Sequence, residues 1–351
     1  MNGYRQLSRT TLLGAAIGFG ACAACLLLGV VDAHAALAGW LVGFAFWSAL
    51  PLGCLVLLMM MRLIPGRWTE ELAGPAEAAL FLLPATLVAV LPVLGRLDRL
   101  YPWVGRPQHT PFREVYLSPW FFSLRTLALL AGSMLLASLL IMRPRWSVPV
   151  ASAGLIAFVL LNSAVSVDWL MSLDPGFHSS GFGLYVLSVQ CTIALSLLVL
   201  MRAAAPGDLR DGTVGALLLT ALLLWAYFAF MQYVIIWSGN LPQGAAWYIL
   251  RGSGGWAAVE YALAGLQLAP AFLLGFPPVR RSRAWLVACA SAVLAGKALE
   301  VSWLVLPATG GGAVAVVAAL LALCGLGVLA VGGLVLVQRS RMKPASKGAV
   351  P

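Results

Sequence analysis

Residues 147–202 read SVPVASAGLIAFVLLNSAVSVDWLMSLDPGFHSSGFGLYVLSVQCTIALSLLVLMR. Two apolar runs, 147–167 and 181–202, enclose a polar connection, DWLMSLDPGFHSS, from Asp168 to Ser180. Each run has the length, about 20 residues, that crosses a bilayer core of about 30 Å as a helix. The runs are continuous rather than alternating, which selects spanning helices over barrel strands. The connection carries two carboxylates and one of the three histidines in the chain. Its proton chemistry therefore sits at the edge of a hydrocarbon layer.

The same pattern extends along the whole chain. Its 351 residues are 62% hydrophobic and 10% charged, with a mean hydropathy of +0.95. Soluble domains carry about 25% charged residues. Ten spans are expected, at 11–31, 37–61, 77–95, 118–142, 147–167, 181–202, 214–237, 254–277, 283–304 and 312–337. The sequence thus predicts an all-α membrane protein, with a single polytopic domain over 1–338 and a basic, disordered cytoplasmic tail over 339–351. The first run, Leu12 to Val31, has no clear cleavage site after it and reads as a span. Gly310 to Gly312 reads as a tight turn.

Cofactor motifs are few. All six cysteines fall inside apolar runs, where cysteine acts as a small hydrophobe. Cys22 and Cys25 have CxxC spacing but no second pair and no nearby histidine, so the spacing favours a structural role. His34, His109 and His178 all read as loop residues, which excludes bis-histidine haem within the membrane. No haem, iron–sulfur cluster or other metal is expected on this chain.

The net charge of +10 lies mainly in short loops, where it reads as topology rather than as a nucleic-acid surface. The termini and the loops after every second span hold 15 of the Lys and Arg residues, and the alternate set holds 5. By the positive-inside rule both termini are cytoplasmic, the basic tail lies at the anionic leaflet, and Asp168–Ser180 faces the periplasm of a bacterial inner membrane.

Five ionisable residues fall inside spans or at their periplasmic ends: Arg125, Asp168, Glu260, Lys297 and Glu300. Such residues are costly in lipid and are functional candidates by default. At about 1.5 Å of rise per residue, Arg125, Glu260 and Lys297 lie roughly 9–10 Å, and Glu300 roughly 6 Å, below the periplasmic face. The expectation is one polar cavity opening outward, with Asp168 and His178 at its rim and Arg125 as the counter-charge. Structural readings stand beside it. Lys297 and Glu300, three apart, can neutralise each other. Arg125 and Glu260 can form a buried pair, and Asp174-Pro175 is a good turn starter.

Several segments resemble a known family. They are DWLMSLDPGFHSSGFGLYV (168–186), MQYVIIWSGNLPQGAAWYILRGSGGW (231–256), GKALEVSWLVLP (296–307), YPWVGRP (101–107) and YLSPWFFSLRT (116–126). They are similar to the second NrfD-like membrane subunit of alternative complex III, and more broadly to the polysulfide-reductase membrane subunits. The resemblance covers residues from about 40 to 308. It implies ten helices arranged as two four-helix bundles plus two peripheral helices, and a quinone pocket or proton route near the periplasmic side. It implies a sister NrfD-like subunit and periplasmic iron–sulfur and c-type haem subunits as partners. Arg125, Asp168, Asp174, Gln232, Tyr233, Trp237, Asn240, Pro242, Trp247, Tyr248, Arg251 and Glu300 occupy the family's motif positions. Glu300 replaces the family's aspartate and Lys297 its arginine. His178 is displaced by two from the family's histidine, and Met59–Arg62 replace histidines after the second span.

Oxidising a quinol releases two protons and two electrons. It needs a base, an aromatic slot and a proton exit. The expected role is a membrane subunit of a quinol:cytochrome c oxidoreductase, incomplete on its own and embedded in membrane lipid. Arg125, Asp168, Asp174, His178, Gln232, Tyr233, Trp237, Glu260, Lys297 and Glu300 are the candidates for its proton relay or quinone pocket. A secondary transporter with an outward-facing site, or a structural anchor for periplasmic redox subunits, are the alternatives.

Overall fold

The computed structural model describes residues 2–106, 110–205 and 212–342. Among these the chain is helical with no strand. The helices are α1 (Asn2–Leu27), α2 (Ala33–Leu63), α3 (Arg67–Leu80), α4 (Leu83–Ala89), α5 (Leu91–Leu94), α6 (Leu97–Leu100), α7 (Pro111–Tyr116) and α8 (Pro119–Met142). They continue with α9 (Ser147–Trp169), α10 (Phe182–Ala204), α11 (Thr213–Ser238), α12 (Pro242–Arg251), α13 (Gly255–Leu274), α14 (Pro277–Arg280), α15 (Arg283–Val305) and α16 (Ala313–Met342). Nine described helices are long and apolar enough to cross a membrane. A tenth span results if the bent pair Arg67–Leu80 and Leu83–Leu94 counts as one.

That pair corrects the third expected span. It begins at Arg67 rather than near 77 and bends by 42° at the break. Pro84 lacks the N–H that would bond the Leu80 carbonyl, so the helix breaks there. The early start also brings in Glu70 and Glu71, which the span at 77–95 left out, and gives partners to Glu77 at that span's edge. Glu77 pairs with Arg62 at 2.9 Å and Arg341 at 3.3 Å, and Glu71 pairs with Arg202. These ion pairs tie the ends of α2, α3, α10 and α16 together.

Other boundaries move for local reasons. The Asp32 carboxylate accepts from the Ala35 N–H at 3.0 Å and caps α2. His34 therefore lies in the first turn of a helix rather than in a loop. The expected loops 96–117 and 238–253 contain α6, α7 and α12, the last with proline at its start. The final helix runs to Met342 rather than ending at 338. The rest of the expected tail, 343–351, and His109 lie outside the described residues. Gly310 and Gly311 do form a turn, with φ of +83° and +55°.

α2 is the central post, with 89% of its most apolar window buried. It packs on α16, α10, α3 and α9. Without a hydrophobic drive between helices in lipid, such contacts depend on close backbone approach. Gly39 faces Ala318, and a Cβ on Gly39 would lie 2.5 Å from the Ala318 Cβ. A Cβ on Gly53 would lie 2.5 Å from the Gln190 carbonyl oxygen of α10. Gly53→Val is therefore expected to cost at least about 1–3 kcal/mol, as overpacked cores do. Thermal unfolding in detergent checks it, and an unchanged midpoint would mean that α2 and α10 are not in this contact.

Candidate functional site

Two separate buried ion pairs occupy the interior. The first joins α8 to α9. Arg125 donates to Asp168 through Nε at 2.6 Å and Nη2 at 2.8 Å, and Nη2 also reaches the Tyr116 carbonyl at 2.9 Å. The rings of Tyr116 and Phe121 lie 4.1 and 4.3 Å from the guanidinium carbon. Asp168 is 0% exposed and Arg125 7%. Burial, and then the Asp168 charge, push the Tyr116 hydroxyl up to about 12. Arg125 is thus not the partner of Glu260, and Asp168 is not an open rim residue. A forked guanidinium–carboxylate contact is the strongest geometry such a pair can adopt, and it closes the site.

The polar connection is likewise structural in its contacts. Asp174 Oδ1 accepts from the Gly176 N–H at 3.2 Å, a turn geometry. His178 is exposed, 3.3 Å from Arg113 Nη2 through Nε2. Phe177 is buried and stacks on Trp247 with 4.3 Å between ring centres. None of Asp168, Asp174 and His178 lines the second site.

That second site lies between α10, α11, α12, α13 and α15. Lys297 Nζ donates to Glu300 Oε2 at 2.7 Å, with Lys297 0% and Glu300 1% exposed. Glu300 Oε1 accepts from the Trp225 indole at 2.7 Å and from the Tyr185 hydroxyl. The ammonium lies 3.8 Å from the Trp225 ring centre, so a cation–π contact completes its surroundings. A buried carboxylate with three donors is satisfied, as buried charge requires.

A pocket of about 520 Å³ opens beside this carboxylate. Tyr185, Trp225, Gln232, Glu260 and Glu300 are among its lining residues. Phe230, Tyr233 and Leu268 at its mouth are 63%, 46% and 54% exposed. These exposed apolar side chains lie on α11 and α13, both long and apolar enough to span a membrane. Small residues, Ala226, Ala229 and Ala264, leave the room. Glu260 is half-buried on the wall and has no hydrogen bond or ion pair among the described residues. A larger groove of about 640 Å³ between α1, α2, α4 and α16 has no ionisable side chain except that of Cys22 among its lining residues.

Arg251 frames the pocket. It is 1% exposed and donates to the carbonyls of Trp303 at 3.2 Å, Leu304 at 3.0 Å and Trp247 at 3.2 Å. Two of those carbonyls belong to the last turn of α15, where a cation is favoured. Burial lowers Arg251 to about 10, which leaves it charged at neutral pH. Arg251 thereby fixes the end of the helix that carries Lys297 and Glu300.

Of the ten sequence candidates, Gln232, Tyr233, Glu260 and Glu300 line one pocket and Lys297 stands directly behind it. Trp237, 71% exposed, does not line it. Tyr185 and Trp225 were not among those candidates. The available signal was a tyrosine hydroxyl and an indole N–H within apolar runs, each of which needs a buried partner. Among the described residues no three His, Cys, Asp or Glu side chains gather as a metal site would require. Compared with models of known protein families and with characterised proteins, the sequence matches none of them.

Proposed function

We propose that this chain is an integral subunit of a quinol-oxidising respiratory complex, of the quinol:cytochrome c oxidoreductase type. In this reading it sits in a bacterial inner membrane with its N-terminus in the cytoplasm. One observation carries the reading. A pocket large enough for a small-molecule ring opens between exposed apolar side chains of two spanning helices, and a buried, hydrogen-bonded carboxylate stands on its wall. A lipophilic quinol reaches such a mouth from the bilayer without crossing water.

In this reading the helices divide into two groups of four, α2, α3–α4, α8 and α9 in one and α10, α11, α13 and α15 in the other, although α2 packs most closely on α16 and α10, across that division. Each group then holds one deeply buried ion pair, closed in the first and beside a pocket in the second.

The chemistry assigns roles. A quinol hydroxyl at the pocket wall gives its proton to the ionised Glu300, whose charge Lys297 maintains. Glu260, half-buried and without a partner, is the acceptor for the second proton. The ring packs among Trp225, Trp247 and Trp303. Both O–H bonds break, two protons leave through carboxylates, and two electrons pass to the metal centres of partner subunits. Those partners are c-type haem and iron–sulfur chains and a sister membrane subunit, so this chain is incomplete as an enzyme.

A photoreactive azido-benzoquinone with a decyl tail tests the site. It is expected to label peptides of α11 and α13 in the purified chain. Ala229→Trp, which fills the pocket, is expected to abolish that labelling. Equal labelling of both proteins would place the ligand elsewhere.

A further inference from the structure

The pocket contains a polar feature that the proton chemistry leaves unused. Gln232 is 6% exposed and lines the pocket. Its Nε2 donates to the Tyr248 hydroxyl oxygen at 3.3 Å. Its Oε1 has no hydrogen-bond partner. Eight buried side-chain polar atoms among the described residues lack a partner, and of the residues that carry them only Gln232 lines this pocket, where a ligand can supply the missing donor. Tyr248 lines the same pocket, and its hydrogen has no acceptor among the described residues. Burial pushes that hydroxyl up to about 12, so it stays protonated. One wall of the pocket thus offers an empty acceptor and an empty donor side by side.

Resting on the reading of this pocket as a quinol site, we infer that Gln232 and Tyr248 form a subsite that reads the redox state of the ligand and holds the hydroquinone in preference to the quinone. A hydroxyl both donates and accepts, so one hydroquinone oxygen satisfies Gln232 Oε1 and the Tyr248 O–H together. A quinone carbonyl only accepts. It can take the Tyr248 hydrogen, but it leaves Gln232 Oε1 buried and unpaired. Ionised Glu300 acts in the same sense, because a carboxylate is acceptor-only and disfavours a facing carbonyl.

The spacing suits a ring with two para oxygens. Trp225, which holds Glu300, and Gln232 stand seven residues apart on α11. That is two helical turns on one face, about 10 Å along the axis. Glu300 and Gln232 thus stand at two levels of one pocket, where a ring with two para hydroxyls can meet both. In this arrangement one hydroxyl meets Glu300 and the other rests on Gln232 and Tyr248 until its proton passes to Glu260 on the same pocket lining. Oxidation removes both donors, which weakens the grip on the product and favours its release to the lipid.

The test is anaerobic titration calorimetry of the purified full chain with decyl-tailed benzohydroquinone and, separately, its quinone. Wild type is expected to bind the reduced form on the order of tenfold more tightly, the cost of one unpaired buried acceptor. Gln232→Leu is expected to abolish the preference by weakening hydroquinone binding while leaving quinone binding in place. Equal affinity of wild type for the two forms, or tighter quinone binding, would overturn the inference while leaving the pocket a quinone site. Loss of both affinities to the same extent in a folded Gln232→Leu protein would also overturn it. Binding of neither form by wild type would overturn the proposed function and the inference together. A folded Gln232→Leu protein that keeps the wild-type preference would overturn it as well, because Glu300 alone would then account for the ratio, and Gln232→Met, closer in shape, takes the place of Gln232→Leu if that protein does not fold.

Discussion

Asp168→Ala is expected to destabilise the folded chain by about 3–5 kcal/mol, the usual consequence of removing one partner of a buried pair. The carboxylate is fully buried, and two guanidinium N–H groups of Arg125 point at it from 2.6 and 2.8 Å. Without it, a charge 7% exposed would be left with only the Tyr116 carbonyl and two aromatic faces. The double variant Arg125→Leu/Asp168→Leu is expected to recover most of the loss, because buried pairs exchange for apolar groups at little net cost. Thermal unfolding in detergent, followed by tryptophan fluorescence, separates the three proteins. An Asp168→Ala protein as stable as wild type would show that the pair does not hold α8 to α9. It would then return Asp168 to the role of an exposed proton exit.

The membrane architecture was legible in residues 147–202 because the length and continuity of apolar runs are set by the bilayer. The third span was misplaced by about ten residues. Its start, RWTEELAGPAEAAL, is polar enough to read as a loop, and its ion pairs to Arg62, Arg202 and Arg341, with buried Leu72, Ala76 and Ala79, let it lie against the other helices. Those partners are distant in sequence, so no local pattern announces them. The same limit applies to the site. The cost of charge in lipid pointed to Arg125, Asp168, Lys297 and Glu300 one by one. Which of them pair was not readable, and the expected single cavity is instead one closed pair and one pair beside a pocket. Lys297 and Glu300 were foreseeable partners because three residues on a helix bring them together. Tyr185 and Trp225 lie on other helices, and only packing brings them to Glu300.

Glu300→Gln carries the other large expectation. The glutamine keeps the shape and can still accept from Trp225 and Tyr185, but it cannot take a proton from a quinol hydroxyl. General-base groups contribute about 10²–10⁴-fold. Lys297 would be left without its counter-charge, so Glu300→Gln/Lys297→Met serves as the neutral control for assembly. The measurement that decides the central claim is quinol:cytochrome c reductase turnover per assembled complex, in membranes carrying each variant. The expected result is a loss on the order of 100-fold or more in both variants with the complex still assembled. Wild-type turnover in an assembled Glu300→Gln complex would contradict the account and leave Lys297–Glu300 as a structural ion pair beside an unrelated cavity.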